Sequence, residues 1–270
     1  MPPPIRLLAL DLDGTLVATD DFISEATVRA LRRAAAAGLR ITTASGRDLE
    51  QQVPLLERYA LGAGSLVPHF LLTNEAHLYF AEGGAYRPWL EHNEPLTRDW
   101  QRLLPAAIAI TRSLVDQLGA EGFEARRASS DEFAARRCLI DFTVVGEPAA
   151  RRAEALLTRA AAEASRELQA NCVKGGGERY HLQLTPVTGG KGVILLALAR
   201  RLGLGPGEIL AVGDSGNDRD LLDPGRGFRT ATVANADPDI KALVRAGGGY
   251  LSPEARGDGV RDIIEHFRLA

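Results

Sequence analysis

Two aspartates, Asp11 and Asp13, directly follow the apolar run 7–10 and precede Gly14 and Thr15. A carboxylate at the end of a buried strand is costly unless it pairs with a cation or binds a metal ion. In an open parallel sheet, ligands bind at the carboxyl ends of the strands. The segment therefore predicts a buried strand that delivers both carboxylates to one point at a ligand-binding edge.

Three further segments carry polar residues at the ends of predicted elements. Ser45-Gly46-Arg47 follows the predicted strand 39–44, and Lys191 lies in a glycine-rich stretch where a helix is predicted to begin. The sequence GDSGND at 213–218 follows the apolar run 209–212. Together the four segments supply carboxylates for a hard cation, a hydroxyl and backbone amides for an anion, and one lysine. This inventory fits phosphoryl transfer, in which catalysis is mostly positioning and charge stabilisation.

In order and in residue type, the four segments resemble the four motifs of the haloacid dehalogenase (HAD) superfamily of phosphohydrolases. The sequences DLDGT at 11–15 and GDSGND at 213–218 are the more specific of them. The resemblance covers about residues 5–87 and 181–270 and implies a core with a Rossmann-like parallel sheet. The stretch 88–180, between these two regions, lies where the type-two branch (IIB, Cof-like) inserts its α/β cap. Within that branch, the motifs are most similar to those of sucrose-phosphate phosphatase-like sugar phosphatases.

The resemblance implies two different roles for the aspartate pair. Asp11 would be the nucleophile that attacks phosphorus and forms an aspartyl-phosphate. Asp13 would be the general acid that protonates the leaving alkoxide and then the base that activates water. A general acid must hold its proton near neutral pH, which burial beside another carboxylate favours. We therefore expect Asp13 to be buried beside Asp11.

The resemblance also implies which residues hold the phosphate group and a magnesium ion. Those that would bind phosphate are Ser45, Gly46 through its backbone amide, Lys191 and Asn217. Those that would hold Mg²⁺ are Asp11, Asp13 through its backbone carbonyl, Asp214 and Asp218. Lys191 would neutralise the phosphate and the Asp11 carboxylate, and Asn217 would contact the phosphate or orient Lys191. Either Asp214 or Asp218 is a candidate for binding through water, since Mg²⁺ dehydrates reluctantly.

Other interpretations of these segments fit less well. Ser45 alone would be an N-cap for the next helix, a role that it can hold in addition. The stretch 189–192 lacks the first glycine of a P-loop and has Gly192 in place of its serine or threonine. The segment that begins at Asp214 is no EF-hand, because glycine stands at its third position and no glutamate at its twelfth.

Strand-like and helical segments alternate outside the insert, which predicts a parallel sheet with right-handed crossovers. The predicted strands are 5–10, 39–44, 69–73, 209–212 and 230–233, and a hairpin from 77 turns at 83–84. The predicted helices are 24–37, one that ends at 57, 191–202, 218–222, 238–246 and 262–267. In the insert, helices are predicted at 98–118 and 148–168 and strands at 138–145 and 180–184.

The fold class is therefore α/β, a Rossmann-like parallel-sheet HAD core with an inserted α+β cap domain. We expect the first part of the core at 1–87, the cap at 88–180 and the second part of the core at 181–270. The cap would determine substrate specificity. Candidate substrate contacts, near the return from the cap to the core, are Glu178, Arg179, His181 and Gln183.

The chain has 270 residues, 45% of them hydrophobic and 25% charged, and a net charge of −3. Such a small charge creates no field that would attract nucleic acid or an anionic membrane. No segment approaches the ~20 apolar residues that span a bilayer, and the first residues lack the pattern of a signal peptide. Cys138 and Cys172 have no metal-ligand spacing. We expect a cytoplasmic monomer or homodimer that binds a small phosphorylated metabolite and neither nucleic acid nor membrane.

The leading hypothesis is a Mg²⁺-dependent phosphomonoester hydrolase that acts on a sugar phosphate or a similar small metabolite. Two alternatives stay open at this point. One is a phosphosugar mutase of the same superfamily, and the other is a protein that binds a phosphorylated ligand without catalysis.

Overall fold

The computed structural model describes residues 3–18, 20–175 and 177–270. The chain divides into two units, of which the first comprises Met1–Trp89 and Lys191–Ala270 and the second Leu90–Gly190. In chain order the strands are β1 (Leu7–Leu10), β2 (Arg40–Ala44), β3 (Phe70–Thr73), β4 (His77–Glu82), β5 (Ala85–Pro88), β6 (Ala125–Arg127), β7 (Ile140–Val145), β8 (Leu168–Lys174), β9 (Arg179–Pro186), β10 (Ile209–Gly213), β11 (Arg229–Thr232) and β12 (Tyr250–Leu251). The helices are α1 (Glu25–Ala36), α2 (Leu49–Glu57), α3 (Leu90–Ala120), α4 (Asp131–Arg137), α5 (Glu147–Ala164), α6 (Lys191–Arg201), α7 (Pro238–Ala246) and α8 (Arg256–His266).

The first unit is built on an eight-stranded sheet in the order β12-β11-β10-β1-β2-β3-β4-β5. The strands from β12 to β3 run parallel, whereas β4 and β5 extend the sheet as an antiparallel hairpin. The four residues of β1 are all buried, as expected for a central strand covered on both faces. This arrangement confirms the predicted parallel α/β core.

Local signals set the ends of the helix that follows β1. Helix α1 begins after Ser24, whose side chain accepts a hydrogen bond from the Thr27 N–H (3.2 Å). It ends just before Gly38, which has φ +96°. The buried side of the helix carries Val28 and Leu31, which pack on the core. The helix predicted at 24–37 is therefore confirmed.

The second unit has a four-stranded antiparallel sheet in the order β6-β7-β9-β8. Its core contains Trp100 of α3 and Phe142 of β7, both fully buried. The indole Nε1 of Trp100 donates to the Ala134 carbonyl (2.8 Å). The insert extends to Gly190, whereas the sequence analysis ended it at 180. The reason is that β9 pairs along its length with β7 and β8, so that residues up to Pro186 belong to this sheet.

Within the described ranges, no helix combines the length and apolar character that a membrane crossing requires.

Cys138 and Cys172 are free thiols. Burial raises the pKa of the Cys138 thiol to about 12, so that it stays protonated and unreactive.

Candidate active site

The predicted polar segments meet at the carboxyl edge of three adjacent strands, β10, β1 and β2. Leu10 of β1 lies opposite Val212 of β10 and Thr43 of β2, so that the residues after each strand are neighbours. The Asp11 N–H donates to the Val212 carbonyl (2.9 Å), which fixes the start of the turn. Sheet register therefore brings together residues about 200 positions apart in the chain.

A buried lysine lies at the centre of this edge. The Nζ of Lys191 donates to Asp11 Oδ1 (2.7 Å) and to Asp218 Oδ1 (2.7 Å). A third carboxylate, Glu75 Oε1, lies 4.0 Å from the same nitrogen. Burial alone lowers the pKa of Lys191, but the three neighbouring carboxylates outweigh it and hold the pKa above its ordinary value. The ammonium therefore stays charged although the side chain is fully buried.

Backbone and hydroxyl donors orient the two acids that follow β10. Asp218 Oδ2 accepts hydrogen bonds from the N–H groups of Asp214 (2.9 Å) and Ser215 (3.1 Å). The hydroxyl of Thr15 donates to Asp214 Oδ1 (2.9 Å). Burial, and then the charge of Asp218, raise the pKa of Asp214 to about 7. Burial and the charge of Asp218 also raise the pKa of Asp11.

The carboxylates of Asp11, Asp214 and Asp218 form a candidate metal site. One oxygen from each lies within 4.8 Å of the others, and all three residues are buried. Hard carboxylate oxygens in a closed group suit Mg²⁺ better than a softer metal. Because Lys191 alone does not neutralise three buried carboxylates, a divalent cation fits the charge of the site as well as its donor set.

Two glycines allow the chain segments to approach this closely. Gly14 has φ +86°, and a Cβ there would overlap the carboxylate of Asp214. A Cβ on Gly213 would overlap Cβ and Cγ of Asp218. Gly14 is therefore required by the contact between the two segments, and Gly213 by the close turn within the second segment.

Asp13 departs from the sequence expectation that both aspartates are buried at one point. Its side chain is 56% exposed and is held by Arg47, whose Nε donates to Oδ2 (2.9 Å) and whose Nη2 donates to Oδ1 (2.6 Å). The same guanidinium donates to Asp21 Oδ1 (2.7 Å). Leu12 is fully buried in the core, whereas the next residue, Asp13, is exposed and pairs with Arg47.

Ser45 is buried at the end of β2 but does not cap the next helix. Its Oγ accepts a hydrogen bond from the Arg47 N–H (3.1 Å). Helix α2 begins instead at Asp48, which forms a capping box with Gln51. The turn leaves Ser45 and Gly46 beside the site, where the sequence analysis expected them to meet phosphate.

Asn217 lies in the turn after β10, but its amide is bound to neighbours other than Lys191. Its Oδ1 accepts from the Ser215 hydroxyl (2.6 Å), and its Nδ2 donates to Glu75 Oε1 (3.3 Å). Glu75 is the residue of this site that the sequence analysis missed. The signal available was an acidic residue two positions after the predicted third strand, at the same edge as the other segments.

The candidate substrate contacts of the insert all belong to the second unit. Arg179, His181 and Gln183 lie on β9, and Glu178 directly precedes it. His181 Nδ1 lies 3.2 Å from Asp141 Oδ2 on the neighbouring strand. These residues stay candidates for substrate contact.

Two family models match the chain in the regions that carry the site. One, described as haloacid dehalogenase-like hydrolase, matches residues 8–69. The other, described as sucrose-6F-phosphate phosphohydrolase, matches residues 151–268. Together they include the four predicted segments that meet at the carboxyl edge of the sheet, but not Glu75.

Individual proteins also resemble the chain over most of its length. An HMP-PP phosphatase of Escherichia coli (strain 55989 / EAEC) is 29% identical over 253 residues, which cover 88% of this chain and 87% of that protein. The structure of the sucrose-phosphatase of Synechocystis sp. PCC6803, in complex with sucrose and phosphate, matches with a TM-score of 0.73 at 22% identity. That match covers 98% of this chain and 99% of the other. A sugar phosphatase of HAD subclass IIB matches with a TM-score of 0.64 at 18% identity and covers 98% of this chain and 100% of its own. The structural likenesses concern the fold.

Proposed function

Because this chain belongs to the haloacid dehalogenase superfamily and is a phosphatase, we propose that it hydrolyses a small phosphomonoester through an aspartyl-phosphate on Asp11. The observation that carries the proposal is the buried contact of the Lys191 ammonium with both Asp11 and Asp218. This contact places the positive charge of Lys191 beside the Asp11 carboxylate, which also lies close to the carboxylates of Asp214 and Asp218. A phosphate dianion needs such a charge to approach a carboxylate nucleophile.

In the first half of the reaction, a carboxylate oxygen of Asp11 attacks phosphorus. The new bond joins that oxygen to phosphorus, and the bond from phosphorus to the ester oxygen breaks. Asp13 donates its proton to the departing alkoxide, which leaves as an alcohol. The transfer requires the protonated form of Asp13, so the contact by which Arg47 holds the Asp13 carboxylate in the structure must break before this step.

In the second half, Asp13 accepts a proton from a water molecule whose oxygen attacks phosphorus. The bond to Asp11 then breaks, inorganic phosphate leaves and both aspartates return to their starting state. Lys191, Ser45 and the Gly46 amide bind the phosphoryl oxygens in both halves. Mg²⁺ held by Asp11, Asp214, Asp218 and the Asp13 carbonyl would neutralise charge on the phosphoryl group.

For the substrate we propose a phosphorylated sugar or polyol. Support comes from the match to a sucrose-6F-phosphate phosphohydrolase model and from the related HMP-PP phosphatase, whose name also gives a small phosphorylated substrate. We propose that the second unit determines which leaving group is accepted, because the residues that carry the chemistry all belong to the first unit.

The test is phosphate release from a panel of sugar phosphates, polyol phosphates and HMP-PP, with Mg²⁺ and with chelator. We expect release that depends on Mg²⁺ and that falls by on the order of 10³-fold or more in Asp11→Asn, since asparagine cannot form the acyl-phosphate. Unchanged circular dichroism and an unchanged Tm would show that the variant is folded. Phosphate release by the folded variant at the wild-type rate would contradict the mechanism.

A further inference from the structure

The hairpin that joins β3 to β4 contains an unusual pair of residues. Asn74 and Glu75 both have φ +55°, and the Ala76 N–H donates to the Thr73 carbonyl (2.9 Å) across them. Hairpin turns with two positive φ values favour Asn followed by Gly. Glutamate thus occupies the position where glycine is the ordinary residue.

A side chain in the left-handed region is strained, because its Cβ crowds the following carbonyl oxygen. Such strain persists where the surrounding structure imposes it, and it is concentrated at functional sites. Here the turn is fixed by the neighbouring segment, since the N–H of Asn74 donates to Arg47 O (3.1 Å) and that of Glu75 donates to Ser45 O (3.1 Å). The backbone of the turn is therefore tied to the segment that was expected to bind phosphate.

The strained residue directs its carboxylate into the site. The Glu75 side chain is 13% exposed, accepts from Asn217 Nδ2 (3.3 Å) and lies 4.0 Å from Lys191 Nζ. Ser215 restrains the other side of the Asn217 amide through a hydrogen bond to Oδ1 (2.6 Å). With one amide hydrogen bound to Glu75, the second amide hydrogen of Asn217 has a fixed direction.

We propose that Glu75 is a positioning residue that fixes the Asn217 amide and the Lys191 ammonium for phosphate binding. This inference rests on the proposed function of the site. A glycine would form the same turn with less strain but would leave Asn217 without this acceptor. The site therefore retains a strained glutamate because of what its side chain holds in place.

The experiment compares wild type with Glu75→Gly, Glu75→Gln and a matched control, Ala60→Gly. Ala60 also has a positive φ (+51°) but lies in the turn after α2, outside the site. The measurements are Tm and the Kd of inorganic phosphate, by calorimetry with Mg²⁺ present. KM and kcat for p-nitrophenyl phosphate are measured alongside.

We expect both glycine variants to raise Tm by roughly 1–3 °C, because each relieves a strained conformation. Glu75→Gly should weaken phosphate binding about five- to tenfold and raise KM more than it lowers kcat. Glu75→Gln keeps an oxygen acceptor for Asn217 and should bind phosphate within about threefold of wild type. Ala60→Gly should leave phosphate binding unchanged.

Three results would overturn the inference. These are unchanged or tighter phosphate binding by Glu75→Gly, equal weakening by Glu75→Gln, or a Tm that falls by several degrees in Glu75→Gly. Wild-type protein that binds phosphate but hydrolyses no ester would contradict the proposed function alone. Wild-type protein that binds no phosphate would contradict both.

Discussion

Asp11 and Asp13 are two residues apart, yet their surroundings differ completely. Asp11 is buried against Lys191, whereas Asp13 is largely exposed and paired with Arg47. A buried carboxylate held by a fixed cation suits a nucleophile, which must stay in place. The exposed carboxylate of Asp13 is paired with a long arginine side chain and can exchange that partner for another. A residue that acts first as an acid and later as a base must make such an exchange. The environment of each residue therefore separates the two proposed roles.

Asp214 should make metal binding depend on pH. In the folded, metal-free chain its pKa is raised to about 7 from the ordinary 3.8. Between these values the folded chain binds a proton that the unfolded chain does not, so this group's contribution to stability falls as the pH rises towards 7. Mg²⁺ needs the ionised carboxylate, so its affinity should rise over the same range and level off above it. We expect roughly tenfold tighter Mg²⁺ binding at pH 8 than at pH 6, measured by calorimetric titration.

The control for this prediction is Asp214→Asn, which removes the titrating group but keeps the size of the side chain. It should bind Mg²⁺ more weakly than wild type at pH 8 and should lose most of the difference between the two pH values. Equal Mg²⁺ affinity of the wild type at pH 6 and pH 8 would contradict the assignment of Asp214 as a ligand.

Among the elements, the end of β10 lies close against the turn that follows it. Gly213→Ala would place a Cβ on the side chain of Asp218, which must move and lose its contact with Lys191. We expect a loss of about 1–3 kcal/mol in the free energy of unfolding, as for other overpacked sites. Phosphate release should fall at least tenfold. Urea unfolding and the phosphate assay measure the two effects.

Gly64→Ala is the matched control, because a Cβ at Gly64 meets no atom within 4 Å and its φ is ordinary. It should keep activity and lie within about 0.5 kcal/mol of wild type in stability. If Gly213→Ala behaved like Gly64→Ala, the close contact between residue 213 and Asp218 would not matter for the site.

Elements with strong local signals were predictable from the sequence. The capped helix α1, helix α7 and the hairpin turn at 83–84 agree with the structure within a residue or two. The missed elements are short or lie at sheet edges, as β6, β8 and β12 do, and depend on strand pairing that the sequence does not display. Helix α3 begins at Leu90 rather than at 98, because the helix continues through Pro95.

The residues of the candidate site were likewise predictable only where a local sequence signal marks them. Motif residues such as Asp11 and Lys191 were identifiable because each lies in a recognisable segment. The role of Glu75 and the pairing of Asp13 with Arg47 were not, since both depend on how neighbouring turns approach one another. Tertiary contact, rather than local pattern, places them in the site.

At the scale of the whole molecule, each of the two units has its own core and its own tryptophan. Trp100 is fully buried in the second unit, and Trp89 belongs to the first. We expect residues 90–190 alone to fold, because their sheet and helices pack on one another without strands from the first unit. Far-ultraviolet circular dichroism and the fluorescence of Trp100 should then show one cooperative urea transition.

Trp100→Ala in the same fragment is the control, since it removes a buried indole and its hydrogen bond to Ala134. It should destabilise the fragment by about 3–5 kcal/mol and is expected to unfold it. A fragment with no cooperative transition and a fluorescence maximum like that of free tryptophan would contradict the independence of the second unit.

The position of β1 at the middle of its sheet bears on how the protein is made. One neighbour, β2, begins about 30 residues after β1, but the other, β10, begins about 200 residues after it. On the ribosome, β1 must wait with one side unpaired while the whole second unit is synthesised. That unit has all its strands before β10 emerges, so it can fold first on the nascent chain. The candidate active site needs Asp11 after β1 together with Lys191 and Asp218, so it is completed last.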